Sequence, residues 1–245
     1  MSRKSGLVVS AHSADFVWRA GGAIALHAEQ GVDVTVVCLS YGERGESAKL
    51  WRQQGMTLKR VKSGRQKEAE TAAAALGVAD IQFWDLGDYP IDLPKEALFR
   101  LVEVFRAIRP SFMLTHSRED PYNRDHPLVS QFAQEARIVA QAHGHTPEVP
   151  VIGAPPVMLF EPHQPEQCRW MPNLLLDITP VWEKKRAAIE AMAGQEHLWE
   201  YYTRVALQRG AQAARNSDKK ITYGEAYEAV FPHVVETLVP TEGRG

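Results

Sequence analysis

Four apolar runs of strand length, Leu7 to Ser10, Val34 to Leu39, Ile81 to Trp84 and Phe112 to Thr115, are each separated by enough chain to hold a helix. Runs spaced in that way predict βαβ units, in which a right-handed crossover joins parallel strands of one sheet. The expected fold class is therefore α/β, Rossmann-like, with a mostly parallel sheet and helices on both faces. From Lys95 to Ile108 the apolar residues Leu98, Leu101, Val102, Phe105 and Ile108 share one helical face, and Arg109-Pro110 stops the helix. A second helix is expected from about Leu128 to Ala142, followed by a loop carrying His143 and His145. Beyond Pro150, "PPVMLFEPHQPEQC" and "LLLDIT" read as two further strands, and Val181 to about Ala214 reads as one long helix. One domain is expected over 1–245, with 232–245 as a flexible tail. The stretch 46–66 is charged, weakly patterned and too long for a simple turn, which makes it a candidate flap.

Composition narrows the function classes. A chain of 245 residues with 44% hydrophobic content can bury a full core. A net charge of -2, with no block of like charges, offers no basic field for nucleic acid. Cys38 and Cys168, the two cysteines, cannot build a disulfide framework or a multi-cysteine zinc site, and they fit a reducing cytoplasm. The N-terminus starts basic, but its apolar run is too short for a signal peptide, and no window of about 18 apolar residues predicts a membrane span. The expectation is a cytoplasmic protein with a small-molecule partner, no nucleic acid and no membrane, and with homo-oligomer formation left open.

In open α/β sheets ligands lie beyond the carboxyl ends of the strands, so polar residues just after apolar runs come first. His12 and Asp15 follow the first run, and Glu43, Arg44 and Glu46 follow the second in "SYGERGES". The fourth run leads into "THSREDPYNRDHP", with His116, Asp120, Asp125 and His126, and a later strand leads into Glu161 and His163. Zinc accepts imidazole nitrogen and carboxylate oxygen, and a catalytic site offers three protein ligands with a position left for water. His12, Asp15 and one later histidine would satisfy that requirement. The competing assignment for His12-x-x-Asp15 is a helix start, with Asp15 capping a helix that begins at Phe16. Gly21 and Gly22 would let that helix lie close to the sheet.

The stretch "VVSAHSADFVWRAGG" resembles the first motif of the LmbE-like or PIG-L family of zinc-dependent N-acetylglucosamine deacetylases, AHPDDE followed by a glycine pair. "YGERG" resembles that family's GExG segment, "RDHP" its second metal motif and "DITPVWEKKRAAIEAMAGQ" its C-terminal helix, so the likeness extends to about Tyr227. The resemblance implies a metal held by His12, Asp15 and His126, with Zn2+ as cofactor. His116 then needs no metal role. One departure bears on the reaction: the general base of the deacetylases is the first Asp of HPDD, and that position here is Ala14. A methyl group cannot accept a proton, so amide hydrolysis lacks its base at the usual place.

Within the family, "AHSADFVWRAGG", "CLSYGERGESAKLW", "DPYNRDHPL" and "GAPPVMLFEPHQPEQC" are most similar to the hydratase branch, which acts in gallate and protocatechuate breakdown. That likeness implies a tricarboxylate substrate, a 2-oxo enoate to which water is added. Hydration needs an activated water, a cation where negative charge develops and an acid to protonate carbon; zinc can supply the first two. With Ala14 unable to serve, Glu43 and Glu46 are the candidate bases, and Glu46 is preferred because Glu43 matches a pair shared with the deacetylases. His163 is the candidate acid, against a structural role paired with Glu161 or a backbone carbonyl. Arg44 and Arg124 flank the metal motifs and are candidate partners for substrate carboxylates. The rival readings are an N-deacetylase with a relocated base and a metal-free carboxylate-binding module. Trp199, Tyr201 and Tyr202 are expected to pack a helix instead of lining the pocket.

Overall fold

The computed structural model describes residues 4–232, so 233–245 of the expected tail lie outside the described residues. The strands are β1 (Ser5–Ser10), β2 (Asp33–Cys38), β3 (Asp80–Phe83), β4 (Phe112–Thr115), β5 (Val157–Phe160), β6 (Leu174–Asp177) and β7 (Gly224–Ala229). They form one sheet in the order β3-β2-β1-β4-β5-β7-β6. The pairs from β3 through to β5 are parallel, and β7 runs antiparallel between β5 and β6. The helices are α1 (Asp15–Glu29), α2 (Ala48–Trp51), α3 (Leu58–Leu76), α4 (Lys95–Ile108), α5 (Asp125–Ala140), α6 (Trp182–Ala191) and α7 (Trp199–Arg215).

Alternation along the central strands builds a core on each face. Leu7 and Val9 join Phe105, Leu101 and Phe132 beneath α4 and α5, whereas Val8 joins Phe16, Ile24, Leu76 and Ile189 beneath α1, α3 and α6. Covering both faces of the sheet explains why β1 and β2 read as continuous apolar runs. None of the described helices is long and apolar enough to cross a membrane.

Three features depart from the sequence reading. Strand β7 carries no local signal in the sequence, because "GEAYEA" has no apolar run. Its inward residues Glu225 and Tyr227 are buried by bonding to each other (2.6 Å), and Glu225 also takes Lys185 (2.6 Å) and the Gly22 and Ala23 N–H groups (2.7 and 2.8 Å). The expected helix over 181–214 is broken between α6 and α7 by a 3-10 segment, Ala193–Leu198, with Gln195 out of helical geometry. Side chains of α3 capture that break: Glu68 accepts from Gly194 N–H (2.8 Å), and Arg65 donates to the Gln195 side chain (2.6 Å). The candidate flap is narrower than 46–66, because from Leu58 the chain is α3, with Val61 and Arg65 fully buried.

The strand order reverses between β1 and β4, which run from that point to opposite edges. A crevice at the carboxyl ends of such a pair is where open α/β sheets bind ligands. Helix α1 reaches it along a close contact: a Cβ at Gly22 would lie 2.5 Å from Ile178 Cγ2, so this glycine lets α1 approach the end of β6 while its N–H bonds to Glu225 of β7. Gly22→Ala is predicted to lose about 1–3 kcal/mol from overpacking, outweighing a helix-propensity gain of about 1 kcal/mol. Chemical denaturation checks this, and an unchanged or raised midpoint would contradict it.

Candidate metal centre

Three loops at the switch point deliver the polar residues. After β1 the chain turns through Ala11 to Ala14, and Ala11 N–H donates to His116 Nε2 (2.9 Å) at the end of β4. Helix α1 begins at Asp15 itself; the fully buried Ala14 occupies the cap position without a side-chain bond. Asp15 is therefore not the expected cap. Its Oδ2 turns back to accept from His12 N–H (2.9 Å), which fixes both side chains in one tight turn.

After β2, Gly42 adopts φ +66°, and a Cβ there would stand 3.2 Å from both His12 and Glu46 Cβ atoms. A side chain would be strained by the backbone and crowded by those neighbours. Asp88 then accepts from the Arg44 and Gly45 N–H groups (3.0 and 2.8 Å), holding the loop that presents Glu46. After β4, Asp120 accepts from the Tyr122 and Asn123 N–H groups, and the chain enters α5 with Asp125 and His126 in its first turn.

His12, Asp15, Glu46 and His126 each bring one ligand atom within 4.8 Å of all the others. His12 Nδ1 stands 3.2 Å from Asp15 Oδ2 and 3.2 Å from Glu46 Oε1, and its Nε2 meets Asp125 Oδ2 at 3.2 Å. His126 Nδ1 meets Asp120 Oδ2 at 2.8 Å, while its Nε2 faces Asp15 Oδ1 at 3.5 Å. If each imidazole donates its outer N–H to its own aspartate, the other nitrogen offers a lone pair to the centre. Such carboxylate partners set tautomer and ring orientation in metal sites.

The donor set fits a divalent metal. His126 Nε2 and Glu46 Oε2 are buried and without a hydrogen-bond partner among the described residues, a costly state for polar atoms unless something binds them. Lone pairs of two imidazoles and two carboxylates facing one another also repel unless a cation lies among them. Electrostatics agree. Burial alone would lower the His12 pKa, but Glu46, Asp125 and Asp15 outweigh it and hold it well above the ordinary value. Burial works against ionising Asp15 and Glu46, yet the histidines around them hold both carboxyls down, Asp15 well below its usual range. His116 goes the other way: burial and then His126 push its pKa well down. It is a neutral ring accepting from Ala11 and stacked on His126 at 4.2 Å, so it steadies a ligand and its Nε2 is already used.

The remaining expected site residues divide. Glu43 is buried in its own loop, accepting from Tyr41 N–H (3.1 Å) and facing Lys62 (3.4 Å), whereas Glu46 enters the cluster. Glu46 also borders a cleft of about 770 Å³ between Lys49 and Arg52 on one side and 194–197 on the other. His163 is half-buried on the loop after β5, its ring stacked on Tyr201 at 4.2 Å, with the Tyr201 hydroxyl donating to its carbonyl. Burial first and Arg19 second lower the His163 pKa. Glu161 pairs with Arg209 and not with His163. Tyr202 stacks on Trp18 as expected of a packing residue, but Tyr201 meets a site candidate. Arg44 and Arg124 are exposed, and their loops, not their guanidinium groups, are tied to the cluster. Missed by the sequence reading were the orienting roles of Asp120 and Asp125, which acidic residues flanking a ligand histidine could have signalled, and Arg19, a lone charge in the apolar run of α1.

Residues 7–137 match the family model described as PIG-L: GlcNAc-PI de-N-acetylase. The chain belongs to the PIG-L family. It is 63% identical over 240 residues to a protein of Pseudomonas putida KT2440 named 4-oxalmesaconate hydratase, covering 96% of this chain and 93% of that one. It also superimposes, with a TM-score of 0.94, on the crystal structure of GalB, the 4-carboxy-2-hydroxymuconate hydratase of Pseudomonas putida KT2440, at 63% identity, covering 96% of this chain and all of that one. The N,N'-diacetylchitobiose deacetylase of Pyrococcus horikoshii shares the fold at a TM-score of 0.77 and 23% identity, over 94% of this chain and 84% of that one.

Because Asp120 and Asp125 orient the two imidazoles, Asp120→Asn and Asp125→Asn are each predicted to weaken binding of zinc, as the probe ion, by about 10–100-fold. Competition with a chromophoric chelator measures this. Affinities equal to that of the parent protein would remove the orienting role.

Proposed function

We propose that this protein is a zinc-dependent hydratase that adds water to the conjugated double bond of 4-oxalomesaconate, giving 4-carboxy-4-hydroxy-2-oxoadipate, in the cytoplasm during gallate or protocatechuate breakdown. The observation that carries this is the likeness to the Pseudomonas putida hydratase over nearly the whole of both chains. His12, Asp15 and His126 would hold the ion. Zinc bound there would act as a Lewis acid on substrate oxygen and favour ionisation of water.

The protein's own groups account for the proton movements. Glu46, 3.2 Å from His12 Nδ1, takes a proton from the attacking water as the hydroxyl oxygen bonds to the fully substituted alkene carbon. The π-electron pair then moves to the neighbouring carbon, which receives a proton from His163. Ala14 is packed among apolar side chains including Phe16 and Val17, so the deacetylase base position offers no acceptor. Arg44 and Arg124 would meet substrate carboxylates at the rim. Only the 47–57 part of the candidate flap would cover the cleft.

Ultraviolet loss of the enoate, followed before and after zinc removal and restoration, tests the reading; acetate release from N-acetylglucosamine derivatives with the enoate untouched would replace it with deacetylation. Glu46→Gln is predicted to lower kcat by about 10²–10⁴-fold with zinc retained, and His12→Ala to lose the zinc. Equal zinc loss in both would reject the division of roles. Burial and then Arg19 hold the His163 pKa below that of an ordinary imidazole, so its acid form disappears as pH rises through that lowered value. The alkaline limb of kcat/KM should therefore lie on the acid side of an ordinary imidazole's titration and be absent in His163→Asn; a limb that survives the substitution would exclude His163 as the acid.

A further inference from the structure

Arg19 lies one turn beyond Asp15 on α1 and is only 8% exposed. Its Nη1 donates to the Glu161 carbonyl (2.8 Å), and its Nε lies 3.5 Å from Asp15 Oδ1 without making a hydrogen bond. A guanidinium has five N–H donors. Among the described residues only that one hydrogen bond from them is formed. Glu161, whose carbonyl takes that bond, has its own carboxylate bound by Arg209 through both oxygens. The backbone is held too: Glu225, which takes the Tyr227 hydroxyl proton, binds the Gly22 and Ala23 N–H groups one turn further along α1.

Asp15 offsets part of the charge, but with a single hydrogen bond formed the guanidinium fork remains open to a further anion. Arg19 also stands between the two halves of the proposed chemistry, touching Asp15 on one side and the loop carrying His163 on the other. We propose that Arg19 is the inner subsite for a substrate carboxylate, a role distinct from that of the exposed Arg44 and Arg124. A carboxylate forked onto it would place the adjoining alkene between the Glu46 side and His163. This rests on the hydratase reading for the identity of the substrate, but the binding itself requires only a polycarboxylate.

The test uses zinc-loaded protein and tricarballylate, a saturated tricarboxylate that cannot be hydrated, with affinity measured by calorimetry. Arg19→Gln should weaken binding by about tenfold or more, Arg19→Lys should restore part of it, and zinc per chain and the unfolding midpoint should stay at parent values. In the turnover assay Arg19→Gln should raise KM more than it lowers kcat. Unchanged tricarballylate affinity would overturn the proposal, as would affinity lost in step with zinc, which would make Arg19 a support for Asp15. If the parent protein fails to hydrate 4-oxalomesaconate but still binds tricarballylate through Arg19, the hydratase reading falls and the subsite stands.

Discussion

His12 Nδ1, Asp15 and His126 Nε2 converge as electron-pair donors that repel one another unless positive charge sits among them. The surrounding structure holds them together around that point. Asp125 and Asp120 turn the two imidazoles inward, the Ala11 N–H fixes His116 against His126, and the tight turn from His12 to Asp15 joins the end of β1 to the start of α1. None of these groups would meet without the reversal of strand order between β1 and β4, which opens a crevice at their carboxyl ends.

In the proposed reading, few positions on this scaffold direct it to hydration. A buried methyl at Ala14 removes a proton acceptor from the start of α1, while Glu46 arrives from the opposite loop beside the same donors. Addition of water needs a base and a separate acid at the two ends of a double bond. The loop after β5 brings His163 from another direction and holds it on Tyr201. Arg19 lies between these approaches, where a carboxylate would be held while both alkene carbons are served.

Much of this was legible in the sequence because two-sided burial writes continuous apolar runs. The parallel strands, the α4 pattern and the placement of His12, Asp15, Glu46 and His126 after strands follow from that rule and from the motif resemblance. What stayed hidden depends on partners distant in sequence. Strand β7 buries Glu225 and Tyr227 through bonds to α1 and α6, which no local hydropathy records. The break between α6 and α7 comes from Arg65 and Glu68 on α3, so the helical pattern ran on across it. The choice between Glu43 and Glu46 was not decidable from spacing, because a three-residue separation in an irregular loop does not say which carboxylate faces inward. Arg44 and Arg124 stand out in the sequence by adjacency to motifs, whereas Arg19 lies inside a helix that otherwise reads as core.

The central claim is one ion shared by two imidazoles and one carboxylate at the β1–β4 switch point. Anomalous diffraction collected on either side of the zinc absorption edge, from crystals of the protein purified without chelator, tests it most directly. The account predicts a single strong peak bonded to His12 Nδ1, Asp15 and His126 Nε2, with His116 outside the coordination sphere. A peak bonded through His116 or through His12 Nε2, or well-ordered side chains with no peak among them, would contradict it.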